Sequence, residues 1–163
     1  MKSLIITTLF LTFNLFYGQV AIGKDTVDGD GILDFGIAKK GIILPYTGTL
    51  VGSVVAGTFV FDTTSKMVRY YNGTDWIQMN ETGGSYSAYP TALREVGAGT
   101  ILGAASSSAP GVLILEATDK SLVLPKVADP HTNILSPAAG TMCYDTTSKS
   151  VAVFNGTEWS YWK

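Results

Sequence analysis

Reactive side chains are scarce in this chain of 163 residues, which carries one cysteine, Cys143, and one histidine, His131. A single cysteine excludes an intramolecular disulfide, so packing or association with other chains must hold the fold. No Ser-His-Asp set, Cys-His pair or histidine metal cluster can be built around His131, which sits in a polar stretch and reads as a solvated loop residue. Charge is also sparse, at 15% of residues with a net value of -2 and no basic cluster. That balance lacks the electrostatic footprint of a nucleic-acid binder and offers little repulsion against self-association. The shortage of Lys and Glu argues against long helices. No catalytic residue and no cofactor is nominated, and the chain is expected not to be an enzyme.

What is abundant is Gly, Thr, Val and Tyr, a composition of strands and turns. Ahead of it, Lys2 precedes an apolar run from Leu4 to Tyr17 that ends at Gly18 and Gln19. A positive start, a short apolar core and a small residue form the pattern of a secretory signal, assigned to residues 1–19. The run is shorter than the roughly 20 apolar residues a membrane-spanning helix needs. The expected location is therefore outside the cell or on its surface.

The chain then repeats itself. Gly57 to Trp76 reads GTFVFDTTSKMVRYYNGTDW, and Gly140 to Trp159 reads GTMCYDTTSKSVAVFNGTEW. The two align without a gap. Upstream, Gly31 to Pro45 (GILDFGIAKKGIILP) matches Gly111 to Pro125 (GVLILEATDKSLVLP), with three extra residues in the second copy before the DTTSK block. Such self-similarity marks two copies of one supersecondary unit. The expected division is a first β repeat at 20–80, a Gly/Ser/Ala-rich connector at 81–110 and a second β repeat at 111–163.

Each copy has a physical reading. The runs before Asp62 and Asp145 are β-prone, and in Asp-Thr-Thr-Ser-Lys the carboxylate and hydroxyls can bond nearby backbone N–H groups in a tight reversal. Val68 to Tyr71 and Val151 to Phe154 return. Asn72-Gly73 and Asn155-Gly156 signal a second hairpin, expected as a type I′ turn. Trp76 and Trp159 open a third strand, completing a three-stranded meander. In front of it, Ile32–Phe35 and Ile42–Leu44, like Val112–Leu115 and Leu122–Leu124, read as a hairpin closed by Pro45 or Pro125. The runs Ile42–Leu44 and Val112–Leu115 are apolar on both faces, which predicts burial inside the fold or against another subunit. Short helical turns are expected at Thr91–Glu95 and within Lys126–Ser136. The fold class is all-β: two homologous repeats, each a hairpin followed by a meander.

Val20-Ala21-Ile22-Gly23, the KGIILP strand, Ser136-Pro137-Ala138-Ala139-Gly140 and the DTTSK…NGT…W block together resemble a repeated module of secreted Bacteroidota proteins. It is similar to modules of surface adhesin-like and phage-tail-fibre-like proteins of that phylum, and the resemblance covers nearly all of the chain after the signal, twice. It implies a surface or secreted interaction protein that self-associates, with a trimer as the expected homo-oligomer. Tyr46 stands where the module has Arg or Lys after Leu-Pro. Ending just after the second repeat, the chain is expected to be a short subunit rather than a long adhesin.

Several constellations invite a functional reading. Asp25, Asp28 and Asp30 alternate like calcium ligands, but the bidentate acid of an EF-hand is missing, since Ile37 stands there, so they read as a polar loop. Cys143 aligns with Val60 and reads as a small apolar strand residue. Trp76 and Trp159, equivalent in the two copies, are expected to close each module's core. Tyr161 and Trp162 have no aromatic counterparts, because Gln78 and Met79 stand there, and are the candidate contact residues. Asn72, Asn80 and Asn155 match the N-glycan pattern but read as turn residues. Asp-Thr-Thr resembles the O-glycosylation acceptor of Bacteroidota, making Thr63 and Thr146 candidate glycan acceptors. The leading expectation is a secreted structural or adhesion-type subunit working by surface contacts with a protein partner or with itself. A small carbohydrate-binding module that takes glycans is the alternative.

Overall fold

A computed structural model describes residues 19–36, 39–50, 54–87 and 99–163. The expected export signal and the helical turn expected at Thr91–Glu95 lie outside the described residues. Within them the chain is nearly all β, and seven strands recur in the same order in each repeat. The first repeat holds β1 (Val20–Ile22), β2 (Gly31–Phe35), β3 (Ile42–Ile43), β4 (Tyr46–Thr47), β5 (Phe59–Asp62), β6 (Met67–Tyr71) and β7 (Trp76–Gln78). The second holds β8 (Thr100–Leu102), which lies inside the stretch expected as a connector, then β9 (Leu113–Leu115), β10 (Ser121–Val123), β11 (Lys126–Val127), β12 (Thr141–Asp145), β13 (Ser150–Phe154) and β14 (Trp159–Trp162). One short helix, α1 (Pro130–Asn133), lies between β11 and β12, in the segment lengthened by three residues and where a helical turn was expected.

The meanders form as their turn chemistry predicts. Asp62 Oδ1 accepts the Thr64 N–H at 2.9 Å and its Oδ2 accepts the Ser65 hydroxyl at 2.5 Å. Asp145 likewise accepts the N–H groups of Thr147 and Ser148. The reversal closes on Lys66 (φ 59°) and Lys149 (φ 54°), left-handed positions where an L side chain is crowded. The second turn differs from the expected type I′. Among the described residues Asn72 and Asn155 are not at positive φ; only Gly73 and Gly156 are. The loops are instead four residues long, and each Asn side chain accepts two successive N–H groups, Thr74 and Asp75 or Thr157 and Glu158. Side-chain capping by Asn replaces its backbone adaptability as the reason for the residue.

The leading strands part company. β1 lies parallel to β2, and β8 parallel to β9 at the same offset. β2 and β3 do not form the expected hairpin, because a strand has two edges and both edges of β2 are taken, one by β1 and the other by β10 of the second repeat. β3 crosses over and pairs antiparallel with β12, Ile43 opposite Thr141 and Ile42 opposite Met142. Each repeat thus lends its Leu-Pro strand to the other.

The core follows from that exchange. Its main cluster joins Leu44, Phe61, Val68 and Met79 of the first repeat to Ala139, Met142 and Val153 of the second. A smaller cluster of Val127, Ile134, Cys143 and Ala152, with Trp159 against it, belongs to the second repeat alone.

Candidate functional site

The most built surface in the molecule is the seam between its two repeats. Along it the first repeat supplies backbone and the second supplies polar side chains. Trp162 Nε1 donates to the Met79 carbonyl at 2.8 Å, and the ring meets Tyr70 edge-on. Asn155, fully buried, donates from Nδ2 to the Thr82 carbonyl at 2.9 Å while its Oδ1 caps its own turn. In the other direction the Tyr46 hydroxyl donates to the Ala139 carbonyl at 2.8 Å. Buried Asn80 accepts the Val68 N–H with Oδ1 and donates to Ser160 Oγ at 3.0 Å. Buried amides with their hydrogen bonds made specify one register, because leaving either amide unpaired in the core would cost about 1–3 kcal/mol. Tyr46, at the position where the resembling module has a cation, is thus a seam residue.

The candidate contact residues separate. Trp162 is half-buried against the main core and its indole N–H is used, so it belongs to the seam and not to an outward-facing patch. Tyr161 stays exposed and its hydroxyl lies 3.2 Å from His131 Nδ1. Burial raises its pKa, with the Asp145 charge adding to the effect. Tyr161, His131, Asp129, Asp145, Thr147, Ser148 and Trp159 line an open, shallow pocket of about 430 Å³ contained within the second repeat. One of its two acids, Asp145, is committed to its turn. Burial pushes the Asp145 carboxyl up, but hydrogen bonds from Ser148 and from the Thr147 and Asp129 N–H groups outweigh this and hold it below the usual range. Ser148 Oγ is hydrogen-bonded with Ser150 Oγ. Trp159 contacts the Phe154 ring at 5.3 Å and Trp76 contacts Tyr71 at 5.4 Å, the same arrangement twice; among the described residues Trp159 but not Trp76 packs against a core cluster.

Cys143 is fully buried on β12, clustered with Val127, Ile134 and Ala152, and burial with the nearby Asp145 charge pushes its thiol up to about 12. It carries no thiolate at neutral pH. Thr63 is half-buried and donates to the Thr47 carbonyl, whereas Thr146 is exposed. In the acidic loop Asp28 is held by Lys24 at 2.9 Å and by Lys126 at 3.2 Å, and no metal-holding cluster occurs among the described residues.

One residue that the sequence reading passed over is Asp34, fully buried in β2. The Lys24 ammonium at 2.8 Å and then the Asp28 N–H at 2.7 Å hold its carboxyl below the usual range. The available signal was a charge inside the apolar run ILDF where the second copy has Ile114.

Two interlocked β units and a shared core define the class: a tandem-repeat β protein whose repeats meet across a built interface. Comparison with known families agrees. The model of the phage tail-like trimerisation region matches residues 21–92 and again 97–163, and the chain belongs to that family, carrying two of its units. No curated protein and no solved structure matches.

Proposed function

We propose that the chain is a non-enzymatic structural subunit that self-associates as a trimer on the cell surface or outside the cell, where it builds or decorates a larger assembly. The observation that carries this reading is the exchange of strands β3 and β10 between repeats. Strands of each repeat pair with an edge of the other, β3 on β12 and β10 on β2, which is the logic of an oligomerisation unit. The trimeric state comes from the family, and the location from the export-signal pattern at residues 1–19 together with the resemblance to secreted adhesin-like modules. Thr146, exposed at its turn, is the better placed of the two O-glycan candidates. Size-exclusion chromatography with light scattering on the chain from Gln19 onward tests the central part. A mass three times that of the chain is expected, and a monomer at high concentration overturns it.

A second reading has one feature in its favour. The shallow pocket sets the rings of Trp159 and Tyr161 beside Asp129 and His131, the mixture of flat apolar and polar groups that sugars stack on. Glycan-array binding abolished by Tyr161→Ala is its expected result, and an array without a binder removes it.

A further inference from the structure

Because the two repeats are equivalent, each position has a counterpart, and at one of them the described residues supply a cover in the second repeat and none in the first. In the second repeat, the edge of β12 away from β13 is covered twice: by its own β11 at Tyr144 and Asp145, and by the visiting β3 at Thr141 and Met142. In the first repeat β4 covers the equivalent Phe61 and Asp62. Along the equivalents of Thr141 and Met142, which are Thr58 and Phe59, no strand runs among the described residues. The side chains register the difference. Met142 is 3% exposed and Phe59 is 36%; Cys143 is fully buried and Val60 only half so. The preceding glycines agree. Both are at positive φ, yet a Cβ on Gly140 would meet Phe61 at 3.1 Å and Leu44 at 3.6 Å, while one on Gly57 would meet nothing within 4 Å.

We propose that the Thr58–Phe59 edge of β5 is a strand acceptor and that a second copy of this chain fills it with a Leu-Pro strand. The inference rests on the self-associating reading above and assigns the surface through which it happens. Each chain has two donor strands, β3 and β10, and two acceptor edges, on β5 and β12. β3 fills the β12 edge within the chain, and β10, paired to β2 along one edge, has no strand on its other edge among the described residues, which leaves that edge and the β5 edge to be matched between chains. The chemistry fits, since Leu122 is exposed on β10 as Phe59 is on β5. By analogy with Ile43↔Thr141 and Ile42↔Met142, Val123 lies opposite Thr58 and Leu122 opposite Phe59. Donor and acceptor are different surfaces, so the contact is head-to-tail and must close into a ring to stay finite.

The register makes the test sharp. In the covered repeat the Leu44 N–H donates to the Gly140 carbonyl, so the neighbouring pair Ile43 and Thr141 is a non-hydrogen-bonded one, with Cα atoms about 4.5 Å apart, within disulfide range. On a Cys143→Ala background, chains carrying Thr58→Cys are co-expressed with chains carrying Val123→Cys or Ile43→Cys, oxidised mildly and run without reductant. A covalent dimer from the Val123→Cys mixture is expected. One from the Ile43→Cys mixture also supports the acceptor and shows that β3 is the strand exchanged between chains. The same-chain pair Ile43→Cys and Thr141→Cys controls for competence to form the bond. If that control closes and light scattering gives a trimer, but neither mixture cross-links, the acceptor is wrong while self-association stands. A dimer from Thr58→Cys alone places the edge against itself across a two-fold axis and overturns the head-to-tail contact. A monomer by light scattering removes both readings. Phe59→Lys provides a check outside the buried core cluster, at the loss of the Phe59–Tyr70 ring contact of 5.7 Å: it is expected to shift the assembly to monomer with an unchanged circular dichroism spectrum, and an undiminished assembly counts against the proposal.

Discussion

A carboxylate that accepts two or three N–H groups is a strong anchor at neutral pH and a liability in acid. Asp34, Asp62 and Asp145 are each buried and each held below the ordinary carboxylate range, Asp34 mainly by Lys24 and the other two by turn hydrogen bonds that overcome burial. Since their folded-state pKa values lie below the unfolded value of about 3.9, the unfolded chain binds protons first as pH falls. The stability they contribute is full above about pH 4 and drains away as pH drops through the depressed folded values. Thermal midpoints measured from pH 7 to pH 2 should stay level and then fall steeply below about pH 4. Asp62→Asn and Asp145→Asn should lower the midpoint at neutral pH and flatten the acid limb. An unchanged limb in the double variant would show that the turn carboxylates are not its source.

At the scale of the element, the turn after Asp-Thr-Thr-Ser stands out because its left-handed residue is lysine. A left-handed L residue costs about 1–2 kcal/mol that glycine avoids, while glycine returns about 0.5–1 kcal/mol through the entropy of the unfolded chain. Lys149→Gly should therefore be neutral or stabilising by up to about 1 kcal/mol, read as a rise in thermal midpoint. Lys149→Val, branched at Cβ, should be clearly destabilising, and Lys66 in the first copy should respond in the same way. These turns were legible from sequence because their causes are local: Asp62 and Asp145 bond to the next few residues, and Asn72 and Asn155 do the same. The place of Trp162 in the seam was not legible, for the opposite reason. Its indole partner, the Met79 carbonyl, is distant in sequence, and no local pattern reports it. The leading strands failed similarly. Apolar residues on both faces of Ile42–Leu44 and Val112–Leu115 predicted burial, yet of these only Leu44 is buried while Ile43, Val112 and Leu113 are exposed; the pattern could not say whether β2, β12 or another chain would supply a covering surface.

Over the whole molecule, that exchange makes the two repeats one cooperative unit. Phe61 is the clearest lever. It belongs to the first repeat, is fully buried, and lies 5.1 Å from the Tyr46 ring, yet its Cβ faces Gly140 and its cluster includes Met142 and Val153 of the second. Truncating such a side chain costs about 3–5 kcal/mol, much of the stability of a small domain. If the repeats were independent beads, Phe61→Ala would loosen β5 to β7 and leave β12 to β14 protected. With a shared core and the crossed pairs β3·β12 and β2·β10, the loss should reach both. Hydrogen exchange followed by mass spectrometry on peptides covering β6 and β13 decides between these. The expected result is a comparable fall in protection in both strands, along with a single unfolding transition in denaturant. The satellite cluster around Cys143 and Ala152 offers the contrast, since it is built from the second repeat alone. Ala152→Gly there should weaken β13 first, and the order in which the two variants expose the two strands would map how far each core extends.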